Sequence, residues 1–119
     1  MTTKKLVLIR DVFNMLREGG KRETYYRFGD KVFRVVYENS NWTPCGYDYK
    51  HCVDVYNATS DEWHHIINRD YIQNIVTKPM DFSNYFCEEP AFKMWSDNFI
   101  AGAKIAIAEL FNSFPSEEK

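Results

Sequence analysis

Residues 24–37, TYYRFGDKVFRVVY, decide the fold expected for this chain. Aromatic and β-branched residues are frequent on both sides of Gly29-Asp30, as is typical of two strands joined by a short turn. A leading glycine suits the type II′ turn of an antiparallel hairpin. We therefore predict a β-hairpin in which Gly29 and Asp30 are the two turn residues.

This turn assigns each hairpin residue to one of two faces, because side chains alternate along a strand. We expect one face to cover the core, and it comprises Thr24, Tyr26, Phe28, Phe33, Val35 and Tyr37. The opposite face comprises Tyr25, Arg27, Val32, Arg34 and Val36.

Hydrophobic spacing predicts a helix before the hairpin, from about Lys5 to Glu18. Apolar residues there recur at intervals of three and four, which is the period of one helix face. These residues are Leu6, Ile9, Val12, Phe13 and Leu16. Gly19 and Gly20 follow, and glycine closes many helices in a left-handed conformation.

The second half of the chain predicts a strand and two helices. HCVDVY, residues 51–56, alternates and is expected to form a third strand. Thr59-Ser60-Asp61-Glu62 has the spacing of a capping box, so a helix is expected from Ser60 until Lys78-Pro79. Pro90 is suited to the first turn of a last helix that ends near Ser113.

These elements predict a single α+β domain spanning residues 1–119. An N-terminal helix would precede a small antiparallel sheet made of the hairpin and the third strand. Two C-terminal helices would pack on that sheet. A chain of this length can bury one hydrophobic core without disulfides or metals.

Composition disfavours several classes of function. The formal net charge is −2 and the pI is about 5.9, which gives no general reason to bind nucleic acid or anionic lipid. The longest apolar stretch, residues 92–114, carries too many charges for a membrane span. Three cysteines without a CxxC pair, and no secretion signal, indicate reduced thiols and a cytoplasmic protein.

The histidines of DEWHHIINRDY, residues 61–71, are the first candidates for catalysis or metal binding. On the expected helix His64 and His65 would point about 100° apart, so both could not face one metal. A helix with solvated histidines is therefore the favoured interpretation.

The cysteines give a second candidate metal site. Cys45, His51, Cys52 and Cys87 could supply zinc ligands, but their spacing does not match zinc knuckles. No nucleophile elbow, phosphate-binding loop or dinucleotide fingerprint is present. We therefore predict a protein that is not an enzyme and has no metal or cofactor.

Aromatic residues make up 17% of the chain, which favours an interaction surface. The segment from Asn39 to Lys50 has the composition of a long loop, and long ordered loops often carry function. Trp42, Tyr47 and Tyr49 lie within it and are the predicted partner-binding residues. The leading hypothesis is a non-catalytic protein that binds a protein partner.

Two alternatives remain open. A nucleotide could be held by Tyr25, Arg27 and Arg34 of the hairpin, through stacking and charge-assisted hydrogen bonds to phosphate. Nucleic-acid binding or a metal-dependent enzyme is the third interpretation.

The last helix predicts self-association. It is apolar on nearly every side and contains small residues that allow close backbone approach, so one core contact should not bury it all. The predicted homodimer interface comprises Ile100, Gly102, Ala106 and Ile107.

Two short motifs, LREGGK at residues 16–21 and ATSDEW at residues 58–63, enclose the hairpin and third strand. Over about residues 11–63 this succession resembles small phage-encoded proteins of the Thoeris anti-defence 2 type. The resemblance implies a phage or mobile-element accessory protein that inhibits a host defence by binding. It carries no binding residue over to this chain.

Overall fold

A computed structural model describes residues 5–16, 19–40, 48–75 and 89–112. Five antiparallel strands form one sheet in the order β1-β2-β3-β4-β5, so each strand pairs with its neighbours along the chain. The strands are β1 (Leu6–Leu16), β2 (Gly19–Phe28), β3 (Lys31–Ser40), β4 (Asp48–Asn57) and β5 (Glu62–Asn68). A short helix, α1 (Arg69–Gln73), follows β5, and the last element is the long helix α2 (Glu89–Asn112).

The predicted hairpin is confirmed. The pair of β2 and β3 residues next to the turn is Phe28 and Lys31, which leaves Gly29 and Asp30 as the two turn residues. Gly29 has a φ of 68°, a left-handed conformation that glycine adopts without steric cost. The six side chains expected to cover the core are all buried. They face α2, so we call this side of the sheet the helix face and the other side the far face.

The predicted N-terminal helix is wrong, because residues 6–16 form strand β1. β1 pairs with β2 in a register that shifts between Leu8 and Arg10, so Ile9 is the extra residue of a β-bulge. Gly19 and Gly20 lie in β2 and do not close a helix. A Cβ added to Gly20 would lie 2.7 Å from Met15 Sδ and 3.0 Å from a ring carbon of Phe92. There is therefore no space for a side chain at residue 20, which explains why this position is glycine.

The predicted helix from Ser60 to Lys78 is also wrong. Residues 62–68 form β5, and α1 contains only five residues. The expected capping box lies in the turn between β4 and β5, where Asn57 Oδ1 accepts hydrogen bonds from the backbone N–H groups of Thr59 and Ser60. The side chain that caps α1 is Asn68, which accepts from Tyr71 N at 3.1 Å.

The third strand and the last helix are confirmed, as β4 and α2. α2 lies on the helix face, where Phe92 and Phe99 contact Tyr37 and Phe111 contacts Phe33. The expected pair of C-terminal helices on a three-stranded sheet is therefore wrong: one long helix packs on a five-stranded sheet. In the described part of the chain, no helix is both long and apolar enough to cross a membrane.

Candidate functional site

Strand β1 forms one outer edge of the sheet and exposes apolar side chains. Within the described residues, no strand pairs with its outer side. Val7, Leu8 and Ile9 are 48%, 55% and 47% exposed. The outer backbone of an edge strand offers N–H and C=O groups to which an extended segment of another chain can hydrogen-bond. We call these three residues and the adjoining outer backbone the β1 edge.

The apolar surface of the β1 edge extends over both faces of the sheet. Val7 lies opposite Arg27 on the far face, and Leu8 lies opposite Tyr26 on the helix face. A strand added beside β1 would therefore find an apolar neighbour on each face, which matches the alternating side chains of an extended peptide.

The other outer edge, β5, has a different character. β5 contains seven residues, and His64, His65 and Asn68 on it are exposed. Its register shifts opposite Val53 and Asp54, so Ile66 is the extra residue of a second bulge. Both edge strands contain a bulge, so length and polarity distinguish them: a short, polar edge disfavours the addition of another strand. Of the two edges, β1 is the one suited to binding.

A buried arginine fixes β1 to the rest of the fold. Arg22 of β2 donates from Nε and Nη2 to the carboxylate of Asp11 at 3.1 and 2.9 Å. Its Nη1 donates to Ser96 Oγ at 3.0 Å and to Asp97, both on α2. The hydrogen bond to Asp11 outweighs burial, and the pKa of Arg22 is raised. One side chain thus ties the edge strand, its neighbour and the long helix together.

A second group of polar side chains lies on the far face around Asp54. Arg34 donates from Nε and Nη2 to Asp54 Oδ2 at 3.1 and 2.7 Å. Cys52 Sγ lies 3.6 Å from Asp54 Oδ1, and His65 Nδ1 lies 3.7 Å from the same oxygen. We call Arg34, Cys52, Asp54 and His65 the Asp54 cluster.

Strand pairing explains how the Asp54 cluster forms. Cys52 and Asp54 are two residues apart on β4 and therefore share a face. Arg34 lies directly opposite Asp54 on β3, and His65 lies directly opposite it on β5. The bulge at Ile66 is essential, because an unbroken register from Val53 and Ile67 would place Ile66 opposite Asp54.

Aromatic side chains border the Asp54 cluster. The guanidinium carbon of Arg34 lies 4.5 Å from the ring centroid of Trp63, a cation–π distance. The Trp63 ring also contacts Tyr25 and Tyr56, at centroid distances of 5.8 and 5.3 Å. The helix predicted from Ser60 would have included Trp63, so sequence reasoning missed this contact.

The geometry does not favour a nucleotide between Tyr25, Arg27 and Arg34. Tyr25 and Arg34 are paired across β2 and β3, but the Arg34 guanidinium is already bound to the Asp54 carboxylate. Tyr25 donates its hydroxyl hydrogen to Glu23 Oε1 at 3.0 Å, which brings another negative charge to this surface. Arg27 is exposed on the far face. Two carboxylates thus lie where a phosphate would bind.

The predicted partner-binding residues fall largely outside the described structure. Trp42 and Tyr47 lie in residues 41–47, which are not described. Tyr49 lies on β4 opposite Asn39, and its side chain is not described. Their role stays a prediction.

The residues predicted to form a homodimer interface lie within the core of one chain. Ile100, Gly102, Ala106 and Ile107 are all buried where α2 packs on the helix face. They cannot contact a second chain unless α2 leaves the sheet. Among the described residues of α2, the large apolar side chains that are exposed are Met94 and Ile105.

Two buried titratable groups, His51 and Cys52, are poorly suited to acid–base or nucleophilic catalysis. Burial, followed by the nearby charge of Arg69, lowers the pKa of His51 to about 3. Burial and the adjacent Asp54 charge raise the pKa of Cys52 to about 11, so its nucleophilic thiolate is scarce at neutral pH. His51 faces α2 and stacks on Tyr37 at 4.2 Å, on the opposite side of the sheet from Cys52.

Comparisons with known proteins do not identify a relative: no family model, curated protein or solved structure matches this chain. The β1 edge and the Asp54 cluster are therefore interpreted from their own geometry. Sequence reasoning missed both. The run LVLI at residues 6–9 was the available signal for the edge, and the alternation of Cys52 and Asp54 was the signal for the cluster.

Proposed function

We propose that this protein is a non-catalytic interaction protein that binds an extended segment of a partner protein at the β1 edge. The observation that carries the proposal is the exposure of three consecutive apolar residues on a long strand whose outer side pairs with no other described strand. Strand addition takes its affinity from main-chain hydrogen bonds and its selectivity from alternate side chains. The partner segment that fits this edge has apolar side chains at successive positions, so that it presents one to each face of the sheet.

The energetics of the edge support such binding. Fully burying a Val, Leu or Ile side chain is worth about 1.5–3 kcal/mol. Because each edge side chain is about half exposed, binding a partner would gain roughly half of that value per residue. Three residues would contribute about 3 kcal/mol before association entropy is subtracted, so backbone hydrogen bonds must supply the remainder. The Arg22 network favours binding by holding β1 in place beforehand.

Two matched variants test the location of the site. Leu8→Lys places a charge on the β1 edge, whereas Ile105→Lys makes the same kind of change on α2, where the side chain is 46% exposed. Proteins captured from a lysate by the wild-type chain are identified by mass spectrometry, and one captured protein is purified. Its dissociation constant is then measured with each of the three chains.

The proposal expects Leu8→Lys to weaken binding at least about tenfold, because apolar contact is lost and a charge is buried. Ile105→Lys should leave the affinity unchanged. In the wild-type complex, hydrogen exchange should slow in β1 and stay unchanged in β5. Equal affinity of Leu8→Lys and the wild type, or loss of binding only with Ile105→Lys, would refute the proposal.

Other expectations from the sequence remain part of this proposal. A partner contact by Trp42, Tyr47 and Tyr49 is compatible with binding at β1. The phage anti-defence role implied by the resemblance, and a cytoplasmic location, also stay predictions. Crosslinking from Trp42 and from Leu8 to the same purified partner would show whether one interface includes both.

A further inference from the structure

We propose that Cys52, Asp54 and His65 bind one zinc ion on the far face of the sheet. The ligating atoms would be Cys52 Sγ, Asp54 Oδ1 and His65 Nδ1. One ligand atom from each of these three residues lies within 4.8 Å of the other two. Thiolate, carboxylate and imidazole are all common zinc ligands, and three protein ligands with one solvent position is a common open site.

The distances fit one tetrahedral ion. With ordinary zinc bond lengths, a tetrahedral centre separates a thiolate sulfur from a carboxylate oxygen by about 3.5 Å, and an imidazole nitrogen from that oxygen by about 3.3 Å. The corresponding distances here are 3.6 Å for Cys52 to Asp54 and 3.7 Å for His65 to Asp54. The remaining separation, between the Cys52 sulfur and the His65 imidazole, is at most 4.8 Å. Any excess over the tetrahedral value of about 3.5 Å has to be closed by movement of the His65 side chain, which is 54% exposed.

The two oxygens of Asp54 have separate roles in this arrangement. Arg34 binds Oδ2, and Oδ1 faces the sulfur and the imidazole. A hydrogen bond from a neighbour to the outer oxygen of a ligating carboxylate fixes its orientation and raises the affinity of the site. Arg34 is itself held against Trp63, so it is a positioning residue for the metal.

Charge and access also fit a divalent cation. A thiolate and a carboxylate carry two negative charges, which balance those of zinc, while Arg34 adds one positive charge on the outer oxygen of Asp54. The thiol proton is released on binding. Cys52 and Asp54 are buried, but the His65 side chain is 54% exposed. The ion can therefore enter beside His65, where solvent supplies the fourth ligand.

Metal titration of the purified full chain tests the site. After treatment with a chelator, the protein is titrated with zinc against a chromophoric competitor, and with cobalt in a separate absorption measurement. Tetrahedral cobalt bound to a thiolate gives visible d–d bands and a sulfur-to-metal charge-transfer band. We expect one equivalent of metal and both kinds of band.

The decisive variant is His65→Ala, because an exposed side chain can be removed without unfolding the sheet. His64→Ala is its matched control, since His64 is an exposed neighbour opposite Val55 on the other side of the strand. The proposal expects His65→Ala to weaken zinc binding at least about tenfold, a loss typical even of outer-sphere changes. His64→Ala should bind as the wild type does. Arg34→Gln should weaken binding about tenfold.

A double variant, Cys45→Ser with Cys87→Ser, removes the other two thiols. The charge-transfer band should persist in it and should disappear in Cys52→Ser. The proposal is overturned if the wild-type chain binds no zinc, if His65→Ala binds as tightly as His64→Ala, or if the band depends on Cys45 and Cys87. Far-ultraviolet circular dichroism of each variant identifies any loss caused by unfolding.

Discussion

Replacing Arg22 with methionine should destabilise the fold substantially, since this residue joins three elements. Its guanidinium binds Asp11 of β1 and both Ser96 and Asp97 of α2. Methionine has a similar length and is apolar, so it can still pack beside Phe13, although it loses the cation–π contact in which the Arg22 guanidinium carbon lies 5.4 Å from the Phe13 ring centroid. The change therefore removes the charge and the donors with little loss of volume.

The expected cost is about 2 kcal/mol. Breaking a fully buried ion pair typically costs about 3–5 kcal/mol, because the abandoned charge stays out of water. Here the side chains of Asp11 and Asp97 are 35% and 48% exposed, so they recover part of their hydration. Ser96 is buried but still donates to the Lys93 carbonyl at 3.1 Å. These compensations place the cost below the range for a fully buried pair.

Urea denaturation monitored by tryptophan fluorescence measures this cost. A protein of this size loses about 1–3 kcal/mol of stability per molar urea, so the midpoint should fall by about 1 M. Arg27→Met is the matched control, because Arg27 lies on the same strand but is exposed on the far face. It should change the free energy of unfolding by less than about 0.5 kcal/mol.

A double variant distinguishes a specific network from a general loss of charge. Asp97→Asn should cost less in the Arg22→Met background than in the wild type, because its partner is already absent. If Arg22→Met and Arg27→Met have equal midpoints, or if the two substitutions are simply additive, the reasoning is wrong and Arg22 does not anchor β1 to α2.

Three further outcomes are expected. The pKa of His51 is about 3 in the fold, against an ordinary value of 6.5. As the pH falls from 6.5 toward 3, His51 therefore gains a proton in the unfolded chain but not in the folded one, and this protonation favours unfolding. Stability should fall by about 2 kcal/mol between pH 7 and pH 5 in chelator-treated protein, and His51→Phe should remove most of this dependence, as measured by urea midpoints. Gly29→Ala should cost about 1 kcal/mol, because the left-handed φ strains a Cβ, and an unchanged melting temperature would contradict this. Ala106→Glu should abolish cooperative unfolding, because it places a charge in the buried contact between α2 and the sheet, whereas Ile105→Glu at an exposed position should stay folded. Calorimetry and light scattering test this, and a folded, monomeric Ala106→Glu chain would contradict it.

The sequence alone determined the elements whose residues alternate without interruption. The central hairpin was predicted correctly in both its turn and its core face, because Gly29 permits the left-handed turn and β2 pairs with β3 without a register shift. The last helix was also predicted within a few residues, because Pro90 and a long apolar run restrict the backbone locally.

Only the tertiary structure decided the two segments predicted as helices. β1 and β5 each contain a bulge, at Ile9 and at Ile66. A bulge inserts one residue into the two-residue alternation, so apolar residues on either side fall three or four positions apart and imitate one face of a helix. Pairing of β1 with β2 and of β5 with β4 selects the extended backbone, because it satisfies the backbone N–H and C=O groups of both segments. The sequence of a segment does not reveal which strand will be its partner.

The candidate sites depended on tertiary structure for the same reason. Cys52 and Asp54 could be placed on one face from sequence, but His65 joins them only because the bulge at Ile66 sets the register of β5. The exposure of Val7, Leu8 and Ile9 likewise follows from the position of β1 at the sheet edge, which strand order alone decides. Local pattern fixes how a strand alternates, whereas its neighbours determine which residues it brings together.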